Sequence, residues 1–346
     1  MPTITPCTIP WTLRLASVVA FLACLPAAPA QKQDWPEYVP SQVSGIIRVC
    51  GSPQISDMLR REEAAYQLVH PSVRFENSLK STITAVTGVS SGRADIGLLG
   101  REIWPSEQEA FVSVSGHRPT VIEIATGSYN VPKATFALMI FVNRANPMRS
   151  LSLDQLGAVF GADESAPPPV WRDAGLAGAW ARRPIHLYGF ARDNDKARIF
   201  GRLVFSRHLH WAAGLHEFRN IAGPPAIDAG EQIVRAVAAD PEGIGISNVF
   251  YALAGVRVVP IAPRSGAAPV TPSRATIADR SYPLWRSVSA IIDGEARTAA
   301  APAVREFLRF IISRQGQAEI SQVGTYLPLT PEVAGRQRSL LSTLAP

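Results

Sequence analysis

A short apolar strand, a small polar loop and an amphipathic helix follow one another repeatedly along this chain, and that order constrains its fold more than any other feature. Ile46-Ile47-Arg48-Val49-Cys50 runs into Gly51-Ser52-Pro53 and then into a helix from Gln54. Val73-Arg74-Phe75-Glu76 runs through residues 77–81 into a helix from about Thr82. Alternating strands and helices read as an α/β fold with mainly parallel sheets. Each helix start presents unpaired N–H groups and the positive end of its dipole, and several such starts facing one point would hold a small anion. The pattern points to a binder, and no nucleophile–base pair stands out to support an enzyme.

At 346 residues the chain has room for two cores. The charged fraction of 18% and apolar fraction of 47% describe a folded chain. The net charge of +6 is carried almost wholly by Arg, spread along the sequence without aromatic interleaving, which argues against a nucleic-acid interface. Residues 1–30 read as a secretory signal peptide: Arg14, an apolar run over 15–25, and Ala28-Pro29-Ala30 as an A-x-A cleavage site. A lipoprotein anchored at Cys24 is the less favoured alternative. No later stretch is long enough to span a membrane. Cleavage after Ala30 removes Cys7 and Cys24 and leaves Cys50 alone, without a disulfide partner, as a small buried hydrophobe.

Residues 31–44 read as a polar leader. The first helix should bury Ile55, Met58, Leu59, Ala65, Tyr66 and Val69, with Ser52 as cap and Pro53 in the first turn. Strands are expected over 94–99, 121–125, 136–143, 186–189, 243–247, 256–261 and 287–292. Helices are expected over 151–160 (Ser152 as cap), around Phe200, Leu203 and Val204, over 227–239, and as one long helix over 303–323. Residues 161–175 read as a surface loop and 262–281 as a turn-rich connection.

Several motifs have blander readings. Gly88-Val89-Ser90-Ser91-Gly92 matches a nucleophile elbow, but it ends a helix and precedes a strand, the reverse of the required order. Asp193-Asn194-Asp195 starts like a calcium loop, yet Arg198 and Val204 stand at the glycine and glutamate positions. His208 and His210 have no third ligand at metal spacing. Gly243-Ile244-Gly245 enters a strand, not a helix, so it is no dinucleotide loop. No metal and no cofactor are expected. What remains is Ser52, Ser81, Thr82, Asn194 and Lys196, placed where hydroxyl, amide or ammonium donors would surround an anion. Read singly, Ser52 and Ser81 only cap helices and Lys196 is a solvated first-turn residue.

Across residues 46–329 the chain resembles the phosphate-binding subunit of bacterial phosphate ABC importers, within the type 2 periplasmic binding protein superfamily. The resemblance is carried by Gly51-Ser52, by Gly92-Arg93-Ala94-Asp95-Ile96-Gly97 leading to Arg101, and by Phe141-Val142-Asn143 through Asn146-Pro147 to Leu156 and Phe160-Gly161. Leu187-Tyr188-Gly189, Gly243-Ile244-Gly245 and Ser281-Tyr282-Pro283-Leu284-Trp285-Arg286 complete it, in the same order. It implies a two-lobe fold with two crossover strands, Phe136 to Asn143 outward and Tyr282 to Ile292 back. Lobe 1 would comprise 45–133 and 281–335, and lobe 2 would comprise 134–280, with the ligand in the cleft between them.

The departures fall in the ligand loops. The family's Ser-Gly-Thr falls on Asn194-Asp195-Lys196, and its Arg on Phe190, with Arg192 close by. Its second-loop glycine-serine becomes Lys80-Ser81-Thr82, and the Asp that some members carry falls near Gly100, with Arg101 following. Either the anion differs, or Lys80, Lys196 and Arg192 compensate, or binding has been lost. The expected ligand set is Ser52, Ser81, Thr82, Arg101, Arg192, Asn194 and Lys196. The expected function is a monomeric periplasmic or secreted solute-binding protein for phosphate or a similar oxyanion, working with an ABC permease. The alternative is a degenerate binding-fold protein acting as a sensor or protein-interaction module.

Overall fold

A computed structural model describes residues 34–344, apart from 164–166, 207–208, 296–297 and 299. The signal-peptide reading, with Cys7 and Cys24, lies outside the described residues, as does His208.

Two five-stranded sheets share one topology. The first runs, in order across the sheet, Val73–Ser78, Gly45–Gly51, Ile96–Leu99, Ser287–Ile292, Thr120–Thr126. The second runs His216–Phe218, His186–Phe190, Gly243–Ser247, Met139–Asn143, Val256–Val259. In both, the first three strands are parallel, and the fourth is antiparallel to each of its neighbours. The sheets are therefore mainly parallel in strand direction, with the fourth strand of each running against the other four. The cause is the crossing itself: Met139–Asn143 and Ser287–Ile292 are the strands that arrive directly from the other lobe, and they enter against the local strand direction.

The two crossings lie side by side. Leu138 N–H donates to Leu284 O at 3.0 Å, and the Tyr282 hydroxyl donates to Leu138 O at 3.0 Å. Gly127 sits at the seam, its N–H donating to Arg286 O at 2.7 Å. A Cβ there would fall 2.8 Å from Thr135 O and 3.0 Å from Arg286 O, so only glycine lets the three segments meet.

Each sheet has its own core. Met58, Leu59 and Tyr66 of the helix Ser56–Gln67 pack with Phe307 and Leu308 of the helix Ala301–Ile311 over the first sheet. The helices Ile83–Ser90 and Pro105–Ser115 bring Val86, Val89 and Phe111 to a smaller cluster with Leu99 and Ile291. The second sheet is covered by Leu153–Phe160, Asp195–Val204 and Ala229–Ala239, around Phe160, Phe200 and Ile233. Cys50 is buried, and burial pushes its thiol up to about 11.

Some expectations are corrected. The first helix stops at Gln67, so Val69 leaves the apolar stripe and is exposed. Leu203 also faces outward at 37% exposure. The long C-terminal helix is two, Ala301–Ile311 and Arg314–Val323, because Ser313 leaves the helix and its Oγ accepts the Gly316 N–H. The connection after 262 holds the short helix Arg274–Ala278. The stretch read as a leader is docked from Asp34 onward: Tyr38 packs edge-on against Phe310, and Ser41 N–H donates to Glu306.

Glu62 lies inside the first core with both carboxylate oxygens buried and unpartnered. Burial first, and Glu319 second, push its carboxyl well above the ordinary range. The native chain thus holds a proton there that the unfolded chain releases, and its stability falls as pH rises from the ordinary carboxyl value through the raised one. Glu62→Leu should stabilise the fold by about 1–3 kcal/mol near neutral pH. That gain should shrink as pH falls below about 4.5, where both states of the wild type become protonated. Thermal melts across pH check this, and a Tm unchanged or lowered at neutral pH contradicts it.

Candidate functional site

The strand-to-helix loops of both lobes meet at one crevice. Ser52 is 1% exposed; its N–H donates to Leu98 O at 3.0 Å, and its Oγ accepts the Gln54 N–H at 3.4 Å, opening the turn Pro53–Ile55. Gly100 leaves the strand Ile96–Leu99 directly against it. A Cβ at Gly100 would lie 2.5 Å from Ser52 Oγ, so this position has no room for the acid that some members of the resembled family carry. Ser81 Oγ accepts the Ile83 N–H at 3.4 Å, and Thr82 begins the helix Ile83–Ser90 without a side-chain cap bond. Across the crevice, Asn194 Oδ1 accepts the Lys196 N–H at 3.0 Å and caps the helix Asp195–Val204.

A cavity of about 250 Å³ lies where these parts converge. Its wall takes Gln54 from the first loop, Thr82 and Ile83 from the second helix start, Gly100, Arg101 and Trp104 from the third loop, Ala134 from the outward crossing, and Asp195 and Lys196 from the other lobe.

The charges around it are paired. Arg101 gives two guanidinium bonds to Glu107, at 2.8 and 2.6 Å, and stacks 3.7 Å from the centre of the Trp104 ring. Burial pushes the Glu107 carboxyl up, but Arg101 and the Trp104 N–H outweigh it and hold the group below its ordinary value. Arg198 covers Trp104 as well, at 4.2 Å. Arg286, 1% exposed on the return crossing, bonds Glu102 through Nε and Nη2 at 3.2 and 2.7 Å, and Asp195 through Nη1 at 3.2 Å. Asp195 also accepts from Lys196 Nζ at 3.2 Å. Burial pushes the Asp195 carboxyl up, and Arg286 and Lys196 together pull it below its ordinary value. Arg286 is the reverse case: burial disfavours its charge, and the two carboxylates more than restore it. Lys196 Nζ also lies 5.3 Å from the Phe136 ring centre and 5.6 Å from that of Phe190.

Of the residues expected from sequence, Thr82, Arg101 and Lys196 line the cavity. Ser52, Ser81 and Asn194 act behind it as caps. Arg192 lies outside the lining, half exposed, with Nε 3.0 Å from Glu217. Sequence reasoning missed Glu102, Trp104, Arg198 and Gln54. It counted Arg286 only as part of a scaffold motif, and Asp195 only as a departure. Gly88–Gly92 does end a helix, with Gly92 at φ 67°.

Among the described residues, His186, Asp240 and Glu242 are grouped with their ligand atoms within 4.8 Å of one another. Asp240 already accepts from Tyr188 at 2.9 Å and lies 2.7 Å from His186 Nδ1, while Glu242 faces Arg183 at 3.5 Å. The group is a satisfied hydrogen-bond cluster. No helix among the described residues is long and apolar enough to cross a membrane.

A family model described as the PBP superfamily domain matches residues 36–315. The chain belongs to the PBP superfamily. The phosphate-binding protein PstS of Pseudomonas aeruginosa is 28% identical over 326 residues, covering 92% of this chain and 94% of that one. Protein SphX of Synechococcus elongatus is 23% identical over 334 residues, covering 94% of this chain and 89% of that one. The fold also matches an ABC-type phosphate transport receptor from Vibrio cholerae, with TM-score 0.52 and 17% identity over 81% of this chain and 99% of the other. PstS from Borrelia burgdorferi matches with TM-score 0.53 and 14% identity, over 83% and 99%. The shared topology of the two sheets and the paired crossings are the type 2 architecture of this superfamily.

Removing Arg286 would take from Glu102 its guanidinium partner and leave Asp195 with Lys196 alone. Arg286→Met should cost roughly 3–5 kcal/mol near neutral pH. Asp195, with its lowered value, contributes stability above the ordinary carboxyl value and loses it as pH falls through the folded one. The gap between wild type and variant should therefore narrow in acid. Denaturant melts at several pH values measure this, and an equal gap at every pH contradicts it.

Proposed function

We propose that this PBP-superfamily chain is the solute-binding protein of an ABC importer and holds a small oxyanion, phosphate first, in the cavity between its lobes. The observation that carries the reading is that one cavity gathers the starts of three helical segments from both lobes. N–H groups and positive dipole ends at such starts favour an anion. In this reading Thr82 gives its hydroxyl and the N–H groups of its helix start, and Lys196 and Arg101 supply charge. Ser52, Ser81 and Asn194 fix the loops that present them. Arg192, held by Glu217, serves the rim. Support comes from the phosphate-binding protein PstS of Pseudomonas aeruginosa, which aligns over 92% of this chain. The chemistry is binding, with no bond made or broken. The protein works as a monomer in the periplasm or outside the cell after cleavage behind Ala30, and hands its anion to a membrane permease.

A second reading, a protein-interaction module without a ligand, is favoured by one observation. The lining cations already face carboxylates, Arg101 facing Glu107 and Lys196 facing Asp195.

Isothermal titration with phosphate, sulfate, molybdate and a phosphonate separates the two. Phosphate should give heat and raise Tm, and Lys196→Ala should weaken its binding about tenfold or more, the loss expected from one charge-assisted contact. No heat with any of the four anions contradicts the reading.

A further inference from the structure

Among the described residues, the cavity wall holds a single acid, Asp195, and that acid touches Lys196 from the second lobe and Arg286 from the crossing. Its carboxylate oxygens lie 3.2 Å from Lys196 Nζ and 3.2 Å from Arg286 Nη1. Lys196 lines the wall and would meet a bound oxyanion in the same way, while Arg286, 1% exposed, stands behind Asp195. We propose that the Asp195 carboxylate is a built-in competitor of the ligand, so that an anion entering the cavity has to draw Lys196 away from it. The inference rests on the anion-binding reading above and adds what sets the strength of binding at that site.

Three features of the geometry support the competition. Asp195 is the first residue of the helix Asp195–Val204, so its carboxylate sits at the helix start where an external anion would be favoured. On the opposite wall, position 100 has no room for a second acid, because Gly100 abuts Ser52. Lastly, the Asp195 bond to Arg286 joins the second lobe to the return crossing, in step with the Arg198 contact on Trp104. The same carboxylate therefore also fastens the lobes together.

Asp195 can be removed without stranding Arg286, which keeps Glu102 through two bonds. The test is phosphate titration of the full secreted chain as wild type, Asp195→Asn and Asp195→Gly, with small-angle scattering of each before and after phosphate. Both variants should bind phosphate at least about tenfold more tightly than wild type, because a tethered competitor has been taken away. Before phosphate is added, Asp195→Gly should show a larger radius of gyration than wild type. A purely structural role for Asp195 would weaken binding, so a gain cannot come from damage. Equal or weaker phosphate affinity in variants that still melt cooperatively overturns the inference and leaves the anion-binding reading standing. No heat in any of the three proteins with phosphate, sulfate, molybdate or a phosphonate overturns both.

Discussion

The chain has to pass between its two sheets twice, and both passages run through one narrow seam. Leu138 is hydrogen-bonded to Leu284 there, and Gly127 leaves room for Thr135 and Arg286. Much else follows from that seam. Each incoming strand enters its sheet antiparallel, so both sheets adopt the same order. The parallel strands of both sheets then end at the crevice, and their loops reach it from opposite sides. In open α/β sheets ligands lie outside the carboxyl ends of the strands, which is where Ser52, Gly100, Thr82 and Asn194 are found. The crossings thus make a two-sided site from two copies of a one-sided design.

The electrostatics of that site are nearly closed on themselves. Arg286 is buried and answered by Glu102 and Asp195; Arg101 is answered by Glu107; Lys196 is answered by Asp195. Buried charges persist only when paired, and here the pairing reaches from one lobe to the other. The helix starts after Ser52 and Thr82 carry no acid in their first turns, whereas Asp195 and Glu107 stand at the starts of theirs. An anion held here would depend on backbone N–H groups and Thr82 as much as on full charges. It would also rearrange the ion pairs as it entered.

Local signals in the sequence were legible, and contacts across long chain separations were not. Ser52, Ser81, Ser152 and Asn194 stand at helix starts because capping chemistry is short-range and visible in three or four residues. The alternating elements and the crossing strands were readable from periodicity and from the resemblance. The antiparallel entry of the crossings was not, because periodicity carries no strand direction. Val69 was misplaced because nothing apolar marks the end of a helix at Gln67. The break at Ser313 was lost within a continuous apolar stripe. Arg286 and Asp195 are 91 residues apart, so no spacing rule joins them. Glu102 and Trp104 are one and three residues beyond Arg101, yet only the folded loop shows that they surround it.

The central claim is that the crevice between the lobes holds a small oxyanion on helix starts and Lys196. A crystal structure of the chain grown with saturating phosphate tests it most directly. The account predicts tetrahedral density in the cavity, within hydrogen-bond reach of Thr82 and Lys196, with Lys196 turned away from Asp195. Clear density for the side chains with no phosphate between them, and Asp195 still bridging Lys196 and Arg286, would contradict it.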